Sequence, residues 1–376
     1  MWKFPFYEID KPIDWESLEK NFSWFRDMKN VSQDALWHAE GDVFVHTKMV
    51  VETLVGLDEF KVLQPQEKHI LFASALMHDI EKRSTTKTEI RDNQERVVSP
   101  SHAKKGEFTV REFLYKELET PFKIREHICK LVRHHGLPIW GIEKADPQKI
   151  VIEASLFLDT KLLYLLAKAD AMGRISDTKE DLLCSIELFK VLCEENGCFG
   201  KEKEFTSNYA RYWYLSKKDA YVDYEPFDDF EFEVVVLCAL PASGKDTYIK
   251  NHLELPILSL DDIRREHKIS PTNKKGNGRV IQMAKEQAKV FMRSKTSFVF
   301  NATNITKELR GKWIMLFNDY HAKVKIVYLE VPYKILLKQN KNRPYPVPAK
   351  VIEKLLHKLE IPLFDEGVEV EYKVNL

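Results

Sequence analysis

Seven side chains in the first half of this 376-residue chain are of types that hold transition metals: His46, the pair His78-Asp79, His102, the pair His134-His135, and Asp170. An isolated histidine in a helix is more often structural, and His69, His252 and His357 take that reading. His78-Asp79 differs because it closes the apolar run LFASALM, and burying an imidazole beside a carboxylate is costly unless both are paired or ligated. The remaining candidates come from separate predicted helices, as a site inside a helical bundle requires. Two divalent ions about 3.5–4 Å apart could hold a phosphate there, generate a hydroxide and stabilise the leaving oxygen, with Asp79 as the bridging carboxylate. So many imidazoles suit Mn²⁺, Ni²⁺, Co²⁺ or Zn²⁺ better than Mg²⁺ alone. His127, one or two turns before the histidine pair, competes as a ligand or as a partner behind one. Lys82 lies one turn beyond Asp79, where its ammonium either meets a phosphate or is solvated. His38 and Glu40 precede His46, at the rim of the site or as helix caps.

The second half offers different chemistry. Directly after the apolar run FEVVVLC comes ALPASGKDT at 239–247. A glycine-rich turn between a strand and a helix, ending in Gly-Lys, wraps NTP phosphates with backbone N–H groups and the lysine ammonium. Pro241, Ala242, Ser243, Gly244, Lys245, Asp246 and Thr247 are the phosphate-binding candidates, Gly244 and Lys245 foremost, and ATP or another NTP with Mg²⁺ is the implied ligand. Ala239 stands where the motif has its first glycine, and Asp246 where it has the hydroxyl that meets Mg²⁺. A carboxylate also approaches Mg²⁺ but adds negative charge near phosphates. Thr247, turned about 100° around the helix, substitutes poorly. After the next strand, SLDDIRRE at 259–266 places acidic residues at a helix start. They cap it, or one of them accepts a proton from an attacking hydroxyl across the cleft.

These residues need two kinds of scaffold. From about residue 30 to 200 apolar residues recur at three-to-four spacing, which predicts an all-α domain. From 232 onward strand and helix alternate, the rhythm of an α/β domain with a parallel sheet. The predicted organisation is therefore multidomain: 1–200 helical, 201–231 a tyrosine-rich junction that packs on something, and 232–376 α/β. The final run VEVEYKVNL alternates like a half-exposed strand.

The length accommodates two cores. The 58 basic and 58 acidic residues cancel, so any polyanion must be held by a local patch. No window approaches a membrane span and the aromatic N-terminus lacks a secretory h-region. Five sparse cysteines without a CxxC fit a reducing compartment. The expectation is a soluble, cytoplasmic protein without a membrane partner, its oligomeric state left open.

The series H…HD…H…HH…D resembles the HD-domain metal-dependent phosphohydrolase superfamily over roughly 30–200. That resemblance implies one metal on His46, His78, Asp79 and Asp170, with Asp79 bridging to a second on His102, His134 and His135. The second half resembles the phage-type polynucleotide 5′-kinase, among the P-loop kinases, over about 232–360. It implies Asp261 as general base for a 5′-OH, Arg264 on the acceptor's 3′-side phosphate, Lys245 on the transferring phosphates and Thr303-Asn304 as a substrate-side loop. In LLKQNKNRPYPVP, Arg343 fits a lid arginine. Gln339 falls where a second one would sit, leaving Lys338 or Lys341 to compensate. The order of the two resembles bacterial bifunctional RNA end-healing proteins. It implies RNA or DNA ends as substrates, phosphorylation of 5′-OH ends, removal of 2′,3′-cyclic phosphate or 2′-phosphate at a catalytic centre including Asp79 and Lys82, and a separate RNA ligase downstream. A nucleotide or small-metabolite kinase fused to a nucleotide phosphohydrolase is the enzymatic alternative, since a fold does not set its substrate. A regulatory NTP-binding protein without turnover is the non-enzymatic one.

Overall fold

The computed structural model describes residues 1–91 and 93–374. They divide into two compact units, Met1–Lys203 and Glu204–Leu376.

The first unit is helical. Its long helices Val43–Gly56, Pro65–Met77, His102–Lys116, Phe122–His134 and Thr160–Met172 surround a core in which Val50, Leu54, Leu71, Leu76, Val110, Leu131 and Leu166 are fully buried. Local chemistry sets several starts. Asp42 caps Val45 N–H, Asp159 caps two N–H groups at the head of Thr160–Met172, and Gln64 with Glu67 forms a reciprocal capping box ahead of Pro65. Tyr7 stacks on Phe72 at 3.8 Å, which ties the aromatic N-terminal segment to the core. Helix Thr160–Met172 ends at Gly173, where a Cβ would meet the backbone of Val50 at 3.0 Å. This close approach brings the Asp170 end of one helix onto the helix that carries His46.

Within this helical unit the structure adds a hairpin that helical periodicity did not signal. Strands β1 (Lys87–Arg91) and β2 (Gln94–Val98) pair antiparallel, with Arg91 opposite Gln94. Arg96 anchors the hairpin to Asp34 at 2.7 Å.

Buried charge joins the two helices that follow. Arg111 contacts Glu107 at 2.7 Å and Glu126 at 2.8 Å, Arg125 contacts Glu126, and Lys130 contacts Glu107 at 2.8 Å. One of these helices begins at His102 and the other ends at His134, so this network sets the relative placement of their histidines.

In the second unit, β3 (Glu233–Cys238), β4 (Ile257–Ser259), β5 (Phe298–Asn301), β6 (Lys323–Glu330) and β7 (Glu369–Val374) form one sheet in the order β4-β5-β3-β6-β7, every pairing parallel. The near-continuous apolar runs of β3, β5 and β6 reflect burial on both faces. β3 is central, and the chain leaves its carboxyl end into the ALPASGKDT turn. The last expected strand is present as β7, and its final two residues lie outside the described ones. The stretch 201–231 contains helix Asn208–Ser216, whose Tyr212 hydroxyl meets Asn318 at 2.8 Å and whose Arg211 lies over the Phe364 ring at 4.0 Å, all in the second unit. Among the described residues, no helix is long and apolar enough to cross a membrane.

Breaking a buried ion pair leaves an uncompensated charge. Arg111→Ala is therefore expected to cost about 3–5 kcal/mol, read as a lower urea midpoint. Burial by itself would raise the carboxyls of Glu107 and Glu126, but Lys130 and Arg111 for the first, and Arg111 and Arg125 for the second, hold both below the usual range. Their contribution is complete above the unfolded value of about 4.3 and is lost as pH falls through it toward the folded values. Unfolding free energy should drop between pH 6 and pH 3, and Glu107→Gln should flatten that drop.

Candidate functional site

The metal-type residues of the first unit converge on one carboxylate. Asp79 follows the Pro65–Met77 helix and is buried, with its two oxygens facing different histidine pairs. Oδ2 lies 3.1 Å from His78 Nε2 and 3.7 Å from His46 Nε2; Oδ1 lies 3.3 Å from His102 Nε2 and 3.8 Å from His135 Nε2. Two candidate ligand groups share Asp79: His46-His78-Asp79 and Asp79-His102-His135.

The far side of each ring explains its orientation. The Nδ1 atoms of His78, His102 and His135 each lie 2.8 Å from a backbone oxygen, of Ala75, Ser99 and Val132 respectively. His46 Nδ1 lies 2.7 Å from Glu40 Oε1. A proton on Nδ1 leaves every Nε2 lone pair pointing inward, the arrangement that fixes imidazole ligands. Burial depresses His135 to about 3, so this ring is neutral at ordinary pH. Burial opposes ionisation of Asp79, yet His78 and Lys82 hold it well below the carboxylate range.

The donor set fits divalent metal. His46 Nε2, His78 Nε2 and Asp79 Oδ1 are buried atoms with no hydrogen-bond partner. Such atoms are expensive unless something ligates them. Among the described residues, the other candidate group is His38-Glu40-His46. It uses the Nδ1 side of His46, and with Nε2 turned to the centre, Glu40 serves His46 as an orienting partner.

The remaining predicted residues are placed as follows. Asp170 lies 3.2 Å from His46 Nε2 and is gripped by Arg174, whose Nε meets Oδ1 at 3.0 Å while its NH2 meets Oδ2. His134 does not join the centre. One residue earlier on the helix, its ring lies 5.2 Å from Phe157 while it still lines the same cavity, and of the adjacent pair it is His135 that the structure brings to Asp79. His127 is also removed, because its Nε2 accepts the Asp159 N–H at 3.0 Å. Lys82 is buried, not solvated: its ammonium lies 2.7 Å from Asp79 Oδ2 and 2.9 Å from Gln33 Oε1. Glu40 is no exposed cap, since its side chain is fully buried between His38 and His46 and accepts the Ile175 N–H. Arg174 stands four residues after Asp170, a spacing that could have signalled the pair, whereas Gln33 carried no sequence signal.

The centre opens into a cavity of about 960 Å³ that Lys82, Arg91, Arg96, Arg133, Lys144 and Arg174 help to line, against Asp34 and Asp79 as its acids. Such a wall favours a phosphate-bearing ligand.

In the second unit the turn after β3 is built for anion contact. Ala242 (φ 66°) and Gly244 (φ 87°) lie in the left-handed region, and helix Lys245–His252 starts immediately. At Gly244 a Cβ would meet nothing within 4 Å, so backbone conformation and not space requires glycine. Burial lowers the Lys245 ammonium, against the pull of Asp246 and Asp261. Asp246 is exposed and accepts from Asn301 Nδ2 at 3.0 Å, which positions the unusual carboxylate from the end of β5.

Pro241, Ala242, Ser243, Gly244, Lys245, Asp246 and Thr247 all line a cavity of about 840 Å³, together with Asp261, Thr303, Gln339, Asn342 and Arg343. Lys338 and Lys341 are not among its lining residues. Asn304 is buried and donates to Leu237 O at 2.8 Å, a structural post beside β3, whereas its neighbour Thr303 faces the cavity. Arg264 lies 2.6 Å from Asp261 and donates to Asn277 at 2.9 Å. The base and the phosphate-binding arginine expected from sequence thus contact each other.

Residues 43–165 match the HD domain family and residues 234–362 the AAA domain family; neither match spans half of the chain. The first includes the histidines and Asp79 but ends before Asp170. Among solved structures, the chain is similar to the Pnkp1/Rnl/Hen1 RNA repair complex, at 20% identity over 34% of this chain and 43% of that chain, TM-score 0.31. It is also similar to a sugar kinase from Janibacter sp. HTCC2649, at 16% identity over 38% and 86% of the two chains, TM-score 0.30. A gluconokinase from Sinorhizobium meliloti 1021 is similar at 16% identity over 38% and 82%, TM-score 0.28. Likenesses this distant carry no argument about substrate. The chain thus carries a helical region that matches the HD domain family, followed by an α/β domain whose parallel sheet is typical of P-loop NTPase and kinase folds.

In protein loaded with Mn²⁺ or Ni²⁺ and analysed by mass spectrometry for metal content, Asp79→Asn is expected to lose most bound metal. His135→Ala should lose about half, and His134→Ala should keep the wild-type content.

Proposed function

We propose that this chain is a bifunctional phosphate-editing enzyme: a kinase that transfers phosphate from an NTP to a hydroxyl acceptor, and a metal-dependent phosphohydrolase acting on nucleotide phosphates. The observation that carries the reading is the divided carboxylate of Asp79, whose two oxygens each face their own histidine pair beneath a cation-lined cavity.

At the first site His46, His78, Asp79 and Asp170 would hold one metal, and Asp79, His102 and His135 the other. Bound there, the pair would supply Lewis acidity and an activated water. Lys82, held within 2.7 Å of Asp79, is placed to turn its ammonium toward a phosphate oxygen. Glu40 and the three backbone carbonyls keep the imidazole protons on the outer nitrogens.

At the second site the backbone N–H groups around Gly244 and the Lys245 ammonium hold the transferring phosphates, with Mg²⁺ held near Asp246 or Thr247. Asp261 accepts the acceptor's proton, Arg264 orients that carboxylate and meets an acceptor phosphate, and Arg343 reaches the phosphates from the lid helix side.

A more specific form is RNA end healing, with a 5′-OH as acceptor and a 2′,3′-cyclic or 2′-phosphate as the hydrolysed group. The acceptor side favours it: the Asp261 side chain is 68% exposed. Exposed Arg265, Lys274, Lys275 and Arg279 lie on its own helix and on the helix that carries Asn277. The acids Asp261, Asp262 and Glu266 share this edge, where Asp261 pairs with Arg264 and Asp262 with Arg265, so Lys274, Lys275 and Arg279 are its surplus cations, and an open edge of that kind suits a polynucleotide end better than an enclosed metabolite.

The test is to incubate the protein with ATP, Mg²⁺ and Mn²⁺ with two substrate sets. One is a 5′-OH RNA ending in a 2′,3′-cyclic phosphate; the other comprises nucleosides, sugars and nucleotides. Lys245→Ala should abolish phosphorylation alone, and Asp79→Ala phosphate-ester hydrolysis alone, each by at least about 100-fold. RNA ends left untouched while small acceptors are phosphorylated would remove the end-healing form and leave the metabolite form.

A further inference from the structure

The phosphohydrolase cavity carries two tryptophans that metal and phosphate chemistry do not use. Trp37 immediately precedes His38 on the loop before the His46 helix, and Trp140 ends the short helix Leu137–Trp140, five residues after His135. Both line the cavity that opens from Asp79. Each is therefore fastened through a few residues of chain to the metal-type centre.

Their packing differs from that of core tryptophans such as Trp24, which is buried among Phe22, Phe25 and Phe113. Trp140 is 46% exposed. Its indole rests beside Gly136, where a Cβ would meet Cδ1 at 3.4 Å. Trp37 stands edge-to-face to it, with centroids 6.2 Å apart and planes at 83°. This geometry leaves no slot between the two rings. One indole supplies a flat, solvent-facing surface, and the other braces it.

We infer that Trp140, braced by Trp37, is a stacking platform for the nucleobase of the molecule whose phosphate is drawn to Asp79. The ligand class is a nucleoside phosphate, either free or as the terminal nucleotide of an RNA. Every nucleobase presents a π-face, so such a platform tolerates any base. The cations complete the case for this class: Arg133 precedes His134-His135, Lys144 follows Trp140, and both line the same cavity. A simple sugar phosphate would use the cations and leave the indoles in water. The inference rests on the phosphohydrolase reading, and the experiment separates the two.

With Mn²⁺-loaded protein, kcat and KM are measured for adenosine 2′-phosphate, for an RNA trinucleotide ending in 2′-phosphate, and for ribose 5-phosphate, which lacks a base. The proteins are wild type, Trp140→Ala and Trp140→Phe. Trp140→Ala should raise KM about 5- to 150-fold for both base-bearing substrates, leave kcat within about 2-fold, and leave ribose 5-phosphate unchanged. Trp140→Phe should restore most of the loss. The base-bearing substrate with the lower wild-type KM identifies the source of the nucleoside. Equal changes on all three substrates would mark Trp140 as structural and overturn the platform, as would no change on any. If no ester is hydrolysed, the phosphohydrolase reading fails, and calorimetric affinity for adenosine 2′-phosphate reads the platform directly. Weakening by Trp140→Ala with rescue by Trp140→Phe keeps it, and unaltered affinity or no binding rejects it.

Discussion

A carboxylate buried among four imidazoles is the constraint around which the first unit is organised. Asp79 is almost wholly buried, so its charge needs partners: Lys82 supplies a cation, and His46, His78, His102 and His135, from different parts of the chain, turn Nε2 toward it and leave a place that a divalent cation would fill. Each imidazole is in turn held from behind, three by backbone oxygens at the turns where their helices start or finish and one by Glu40. The Ala75 and Val132 oxygens are among the last carbonyls of their helices, which have no partner within the helix, whereas Ser99 stands ahead of the helix that begins at His102. Small shifts of one helix would misdirect an Nε2 toward its neighbour.

The second unit sets backbone at its candidate site, beside the Lys245 and Arg343 side chains, where the first sets imidazoles and carboxylates. Its central strand β3 ends in a turn whose left-handed residues present N–H groups ahead of a helix start. The departures from the usual pattern are accommodated by neighbours. Ala239, fully buried, donates its N–H to Thr303 O at 3.0 Å, and Asp246 is steadied by Asn301. The strand that places Asn301, β5, lies beside β3 in space although more than fifty residues of chain separate the two. A carboxylate near phosphates is tolerable where an amide and a cation compensate it.

Both units bury an ion pair, Arg111 with Glu107 and Glu126 in the first and Arg310 with Glu366 in the second, but the charged groups around their sites are treated differently. In the first, buried cations and acids alternate, and the Arg111 network locks the helices bearing His102 and His135. In the second, ionic groups at the acceptor edge remain exposed while the sheet beneath is apolar. Rigid placement keeps the clustered imidazoles and carboxylates in register. An exposed edge suits a site that must admit a partner molecule.

Much was determined by the sequence alone. Residue type and order announce the histidines and aspartates that gather at Asp79, and the FEVVVLC run followed by a Gly-Lys turn announces the strand–turn–helix after it, because strand, turn and helix signals are local. Periodicity likewise separates the helical half from the alternating half. Tertiary structure alone decided which of two adjacent histidines reaches Asp79, since His134 and His135 differ by about 100° around a helix whose orientation is set by distant partners. It also decided that Lys82 is buried against Gln33, that Glu40 stands behind His46 and that His127 is spent on the Asp159 N–H, whereas the Lys82–Asp79 and Arg174–Asp170 pairs lie at local i,i+3 and i,i+4 spacing. Hairpin β1–β2 escaped a reading tuned to helical spacing, and the pairing of Trp37 with Trp140 brings together residues with no periodic relation. Sequence patterns report the face of an element, whereas these contacts depend on which faces meet, and that is settled by packing between elements remote in the chain.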